Sequence, residues 1–141
     1  MAPRGLADTG ALLAYLNHRD RWHDACVEAL GRLPLPLATS VAVLAELFHL
    51  LADHPAARRT AWAFVRSGAL TVLPVGDDDL PRLDELMERY ADRPIDFADA
   101  TLVLLAERVG LSDVFTVDHD DFETYRFAGR RRFRVHPARN P

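Results

Sequence analysis

Apolar and polar positions along the chain change period from block to block. Short apolar runs of strand length, rich in Val, Leu and Thr, recur between longer stretches whose apolar residues return every three or four positions. The pattern predicts a short strand ending near Ala7, helices over 9–17 and 19–31, and a strand over 35–39. Helices follow over 40–53 and 55–67, then a strand over 70–75, a helix over 77–90 and another over 96–109. A strand over 114–117 and a short edge strand over 132–135 complete the pattern. Ser40 suits an N-cap, Pro55 a first helical turn and Gly110 a helix stop. In the 77–90 helix, Leu80, Leu83, Leu86 and Met87 are expected to face the core. Strands alternating with helices imply an α/β fold with a mainly parallel sheet. There is no repeat and no separating linker, so one domain over residues 1–141 is expected.

Composition narrows the chemistry. A chain of 141 residues can bury a substantial core. Its single cysteine, Cys26, excludes an intrachain disulfide framework and a cysteine-based zinc cluster, and fits a reducing compartment. The most apolar stretch, residues 41–52, is too short to span a bilayer and carries Glu46. The N-terminus, with Asp8 soon after Arg4, does not read as a secretory signal. A soluble cytoplasmic protein with no membrane contact is expected. All 17 basic residues are Arg, and Lys is absent. That excludes Schiff-base chemistry, a Walker A phosphate loop and receiver-type phosphoacceptor chemistry, each of which needs a lysine.

The net charge of −4 joins two opposed parts. Residues 126–141 hold six Arg and no acid, which leaves 11 Arg against 21 acids in the first 125 residues. This basic C-terminal segment has two readings, a dock for a polyanion or acidic partner near acidic chemistry, or a solvated tail.

Several acids stand where acids are locally costly. Asp8 falls at a strand-to-helix junction and Asp118 at the end of Val-Phe-Thr-Val. Carboxyl ends of parallel strands border the ligand crevice, so both face one end of the sheet, although Asp8 would also serve as a helix N-cap. Between Val41 and Ala52 the only polar companion of Glu46 is His49, so that helix is expected to be mostly buried. A carboxylate there needs a cation, a proton or a hydrogen bond to His49. Asp96 and Asp99 open a helix, where capping explains Asp96 well and Asp99, crowded by Ala98, Ala100, Leu102 and Val103, less well. Clustered carboxylates repel unless a cation sits among them. Oxygen-only donors without cysteine or paired histidines point to a hard ion, Mg²⁺ or Mn²⁺. Such ions activate water against phosphodiesters, so the residues argue for a metal-dependent phosphodiesterase or nuclease.

Four segments carry a more specific likeness: Asp8-Thr-Gly-Ala-Leu, Leu44-Ala-Glu46-Leu, Asp96-Phe-Ala-Asp99-Ala and Thr116-Val-Asp118-His-Asp-Asp-Phe122. In order and spacing the chain resembles the PIN-domain family, and within it the VapC-type toxin ribonucleases. The resemblance covers nearly the whole chain and implies a three-layer α/β/α sandwich acting as a Mg²⁺-dependent endoribonuclease. Asp8, Glu46, Asp99 and Asp118 would then form the catalytic, metal-binding cluster. Asp96 would sit beside it, Thr116 would help shape it, and Thr9 and Ser40 match small polar positions nearby. The same resemblance implies an RNA substrate, a small antitoxin partner and a homodimer. The first strand departs from the family in lacking Val and Ile, and the absence of Lys leaves phosphate contacts to Arg. The competing reading is a PIN scaffold that binds RNA or protein without catalysis; the presence of all four acids weighs against it. The helices carrying Trp22 and Trp62 could offer apolar contact surface, but ordinary core packing is the favoured reading for both.

Overall fold

A computed structural model describes residues 1–90 and 92–139. Its centre is a five-stranded sheet in the order β3-β2-β1-β4-β7, with every neighbouring pair parallel. The strands are short: β1 Leu6–Ala7, β2 Leu37–Thr39, β3 Leu70–Val72, β4 Asp113–Phe115 and β7 Arg134–His136. Helices α1 (Thr9–Leu16), α2 (His23–Arg32), α3 (Val41–Leu50), α4 (Pro55–Arg66), α5 (Leu80–Arg89) and α6 (Phe97–Val109) connect and flank them. A further short helix, α7 (His119–Thr124), precedes a two-stranded hairpin, β5 (Arg126–Phe127) and β6 (Arg131–Arg132). The sequence pattern contains neither α7 nor this hairpin, because both are too brief to establish a period.

The central strands β1 and β2 are buried completely, which suits a parallel sheet covered on both faces. Helix α6 is the most enclosed helix, with every residue from Ala98 to Ala106 buried. Asp96 starts it by accepting the Asp99 backbone N–H at 2.7 Å. Gly110 stops it in the left-handed conformation (φ 72°), which a side chain resists. Ser40 caps α3 as the sequence predicts, accepting from the Val43 N–H at 3.2 Å.

Three burial expectations fail. Helix α3 is not mostly buried: Val43 and Leu47 face the core, while Val41, Ala45, Glu46, His49 and Leu50 are exposed. The only polar residues of α3, Glu46 and His49, stand three apart on the exposed side, a polar face too narrow to outweigh the apolar content of the helix. Trp62 is likewise no core residue. It is 50% exposed on α4 and stacks on Phe48 with ring centroids 4.5 Å apart. In α5, Leu83 and Leu86 are buried, but Leu80 and Met87 lie at the edge of the stripe and are exposed. Trp22 is partly buried and packs against the core and the His119 ring.

The basic C-terminal segment folds as far as residue 139. Strand β7 extends the sheet beside β4, at the edge as the pattern predicts. Arg131 donates to the Ser112 hydroxyl and Arg134 to the Asp113 carboxylate, both at the amino end of β4. Those arginines therefore lie at the opposite end of the sheet from Asp118.

Candidate active site

In this sheet the chain leaves β1 toward β2 and β3 on one side, and β4 and β7 occupy the other. The reversal of strand order between β1 and β4 opens a crevice at their carboxyl ends. Asp8 follows β1 and Asp118 follows β4, so both fall at that crevice by chain position alone. Helix α6 begins there with Asp96 and Asp99, and α3 brings Glu46 to its edge. Asp8, Gly10, Glu46, Asp96, Asp99, Val117 and Asp118 line one cleft of about 360 Å³. At Gly10 a Cβ would come within 3.0 Å of Val117 Cγ2, so a side chain there would crowd the cleft wall. All four acids singled out from the sequence meet in this cleft, and Asp96 joins them.

Each buried acid is held by a specific neighbour. Asp8 occupies the N-cap position of α1 but its carboxylate does not cap the helix. Instead, Thr116 Oγ1 donates to Asp8 Oδ2 at 2.8 Å. The same Thr116 oxygen accepts the Asp118 backbone N–H at 3.0 Å, so one hydroxyl ties the ends of β1 and β4 together. Tyr125 donates its hydroxyl to Asp99 Oδ2 at 3.0 Å. Asp118 caps α7 by accepting from the Asp121 N–H. Thr9 and Ser40 stand behind the cleft: Thr9 donates to the Val43 carbonyl at 3.2 Å, and the Ser40 and Thr101 hydroxyls lie 2.7 Å apart. Thr101 Oγ1 already donates to the Ala98 carbonyl, so Ser40 is the donor between them, linking α3 to α6.

Electrostatically the cleft is strained. Asp8 and Asp99 are 7% and 6% exposed. Burial, the largest influence, pushes both carboxyls well above the usual carboxylate range. Their mutual repulsion and Asp96 push Asp99 further, while the Thr116 and Tyr125 hydroxyls pull the other way without prevailing. Asp118 rises through burial and then through Asp121. Glu46 rises through burial and Asp96, although it is more exposed than the sequence suggests, and no hydrogen bond or ion pair to His49 or any Arg is present among the described residues. A divalent cation among these oxygens would reverse each of these shifts by favouring the charged forms. The donor set, carboxylates only, fits a hard cation.

Asp121 was not distinguished by sequence reasoning. Carboxylate oxygens of Asp99, Asp118 and Asp121 all lie within 4.8 Å of one another. The available signal was its place three residues after Asp118, one turn into a helix that Asp118 caps. Tyr125 was missed as well, because the 26 residues separating it from Asp99 give no local cue.

A family model described as PIN domain matches residues 6–128. The chain belongs to the PIN-domain family. Ribonuclease VapC26 of Mycobacterium tuberculosis is 31% identical over 134 residues, spanning 94% of this chain and 99% of that protein. The crystal structure of VapC20 from the same organism, described as a sarcin-ricin loop cleaving toxin, aligns with a TM-score of 0.74 at 26% identity, covering 82% of this chain and 90% of that one. A toxin–antitoxin complex from Klebsiella pneumoniae shares the fold at a TM-score of 0.64 and 22% identity, with coverage of 85% and 91%. In this PIN domain the helices flanking the parallel sheet form the α/β/α arrangement expected from the sequence.

Proposed function

We propose that this PIN domain is a divalent-cation-dependent endoribonuclease and the toxin of a toxin–antitoxin pair. One observation carries the reading: Asp8, Glu46, Asp99 and Asp118 converge on one cleft in a chain that matches a ribonuclease over almost its full length. Asp8 and Asp99 are the main ligands for Mg²⁺ or Mn²⁺, and Glu46 and Asp118 complete the charge. When bound, the ion supplies Lewis-acid polarisation of the phosphate and a lowered pKa for water.

The chain's own residues do the rest. Thr116 fixes Asp8 and Tyr125 fixes Asp99, so the two buried carboxylates present oxygens in set directions. Glu46, at the open edge of the cleft, orients the attacking water and accepts its proton at a carboxylate oxygen. Water oxygen bonds to phosphorus as the P–O3′ bond breaks, and the departing 3′ oxygen takes a proton from solvent water, leaving a 5′-phosphate and a 3′-hydroxyl. Val41 and Leu50 on α3 and Trp62 on α4 are exposed apolar side chains, which supports a protein partner, either the antitoxin or a second copy.

Purified protein should cleave RNA in Mg²⁺ or Mn²⁺ and lose that activity in EDTA. Asp8→Ala and Asp99→Asn proteins, prepared identically, control for host ribonuclease. Cleavage that survives EDTA, or survives both substitutions, refutes the reading.

A further inference from the structure

We infer that Arg93 is the residue that grips the substrate's phosphate backbone at the rim of the acidic cleft; this rests on the ribonuclease reading above. With no lysine in the chain, the side chains that are always charged and can meet phosphate are arginines. In the C-terminal cluster that the sequence put forward, Arg131 and Arg134 are badly placed for this, bound to Ser112 and Asp113 at the far end of β4. Near α7, Arg139 is already held by two carboxylates, Asp120 and Glu123. Arg126 turns inward onto the carbonyls of Glu123, Thr124 and Tyr125, closing the last turn of α7.

Arg93 is as exposed as Arg139 and differs in the acid it meets. It sits in the loop between α5 and α6, with its side chain 48% exposed. Its Nε and Nη2 both point at a single oxygen, Asp121 Oδ1, at 3.1 and 3.0 Å, and Nη1 lies 3.3 Å from Thr124 Oγ1. Asp121 in turn belongs to the carboxylate group with Asp99 and Asp118. Among the described residues, Arg93 is the one cation paired with an acid of that group.

Position and valence both suit a phosphate ligand. A cleft lined by Asp8, Glu46, Asp96, Asp99 and Asp118 repels a polyanion, so the strand must be drawn in by positive charge at the rim. The guanidinium edge now aimed at one carboxylate oxygen has the fork that phosphate accepts. Exchanging one anion for another leaves no cation unpaired, and the exposed side chain needs no rearrangement of the core.

The test uses the full chain with a short defined RNA. In steady-state cleavage, Arg93→Gln should raise KM about tenfold with kcat little changed. Arg93→Lys, which keeps the charge and loses the fork, should fall between the two. On an Asp99→Asn background that spares the RNA, Arg93→Gln should lower the slope of log affinity against log salt by about one. Arg139→Gln should leave both readouts unchanged. If Arg93→Gln fails to fold, the lysine variant decides through KM. KM and salt slope equal to wild type in the folded variant overturn the inference, as does an identical loss in Arg139→Gln. A wild type that binds RNA with the Arg93-dependent slope but never cleaves it would remove the nuclease reading and leave this contact standing.

Discussion

The packing of α5 against α6 and the cleft at the start of α6 hold acids in opposite ways. Away from the cleft, where α5 packs on the later turns of α6, the half-buried acids Glu107 and Asp79 are each paired with an arginine. Arg82 donates to both Glu107 oxygens at 3.0 and 2.6 Å and reaches Glu85 at 2.9 Å, while Arg108 holds Asp79. The Arg108 hydrogen bond keeps Asp79 below the usual carboxylate range. In the cleft the hydroxyls of Thr116 and Tyr125 are the side-chain partners of Asp8 and Asp99, and both carboxyls are driven upward by burial. Charges that serve the fold are neutralised within it. The acids lining the cleft are oriented by hydroxyls and, among the described residues, are in no ion pair, Arg93 pairing only with the adjacent Asp121, so a cation from outside suits them.

Breaking the cleft side should have the largest effect. Asp99→Asn removes a charge while keeping an oxygen that accepts from Tyr125. Cleavage should fall by at least ~10²-fold, the scale seen when a metal site loses an interaction, and Mn²⁺ binding by calorimetry should weaken with it. The same substitution should make the metal-free protein more stable near pH 8, by about 1 to 2 kcal/mol, because the folded chain no longer has to hold a proton on a carboxyl that ionises freely when unfolded.

The pH dependence of the metal-free protein follows from the same shifts. Asp8 and Asp99 have folded-state values above the ordinary 3.8, so the folded chain holds protons that the unfolded chain has released. Their stabilising contribution is present at low pH and is lost as pH rises from that ordinary value through the raised ones. Scanning calorimetry in EDTA should therefore show the cluster opposing stability increasingly as pH rises. Saturating Mn²⁺ should add about 2.7 kcal/mol at a hundredfold excess over its dissociation constant. The metal-induced rise in Tm should be larger at pH 8 than at pH 5, since binding must displace protons. A metal effect independent of pH would contradict the raised values.

Tyr125→Phe sharpens the comparison by removing orientation without removing charge. Activity should drop about 10-fold, with metal affinity falling in parallel and the fold intact. The smallest effect belongs to the paired side: Arg82→Ala should cost about 1 kcal/mol in urea unfolding and leave metal affinity unchanged. If Arg82→Ala altered Mn²⁺ binding as strongly as Tyr125→Phe, the division between self-neutralised and externally neutralised acids would fail.

Much of this was legible from residue order alone. Helix and strand periods placed most elements within a few residues, and the caps at Ser40, Asp96 and Gly110 are local chemistry that one turn of chain specifies. Asp8 and Asp118 could be assigned to the crevice because chain direction in a parallel sheet fixes which strand ends face it. Helix α3 marks where that reasoning stops. Its composition predicted burial, but how much of a mostly apolar helix is covered depends on how many neighbours pack there, and the fold leaves the side with Glu46 and His49 open. The cleft's finer parts share that origin. Tyr125 reaches Asp99, Thr116 reaches Asp8 across 108 residues, and Arg93 reaches Asp121 across 28. Sequence by itself determined which residues carry charge and which segment each one ends or begins. Only the tertiary structure decided which charges met a counter-ion, because pairing depends on distances through space that no local period encodes.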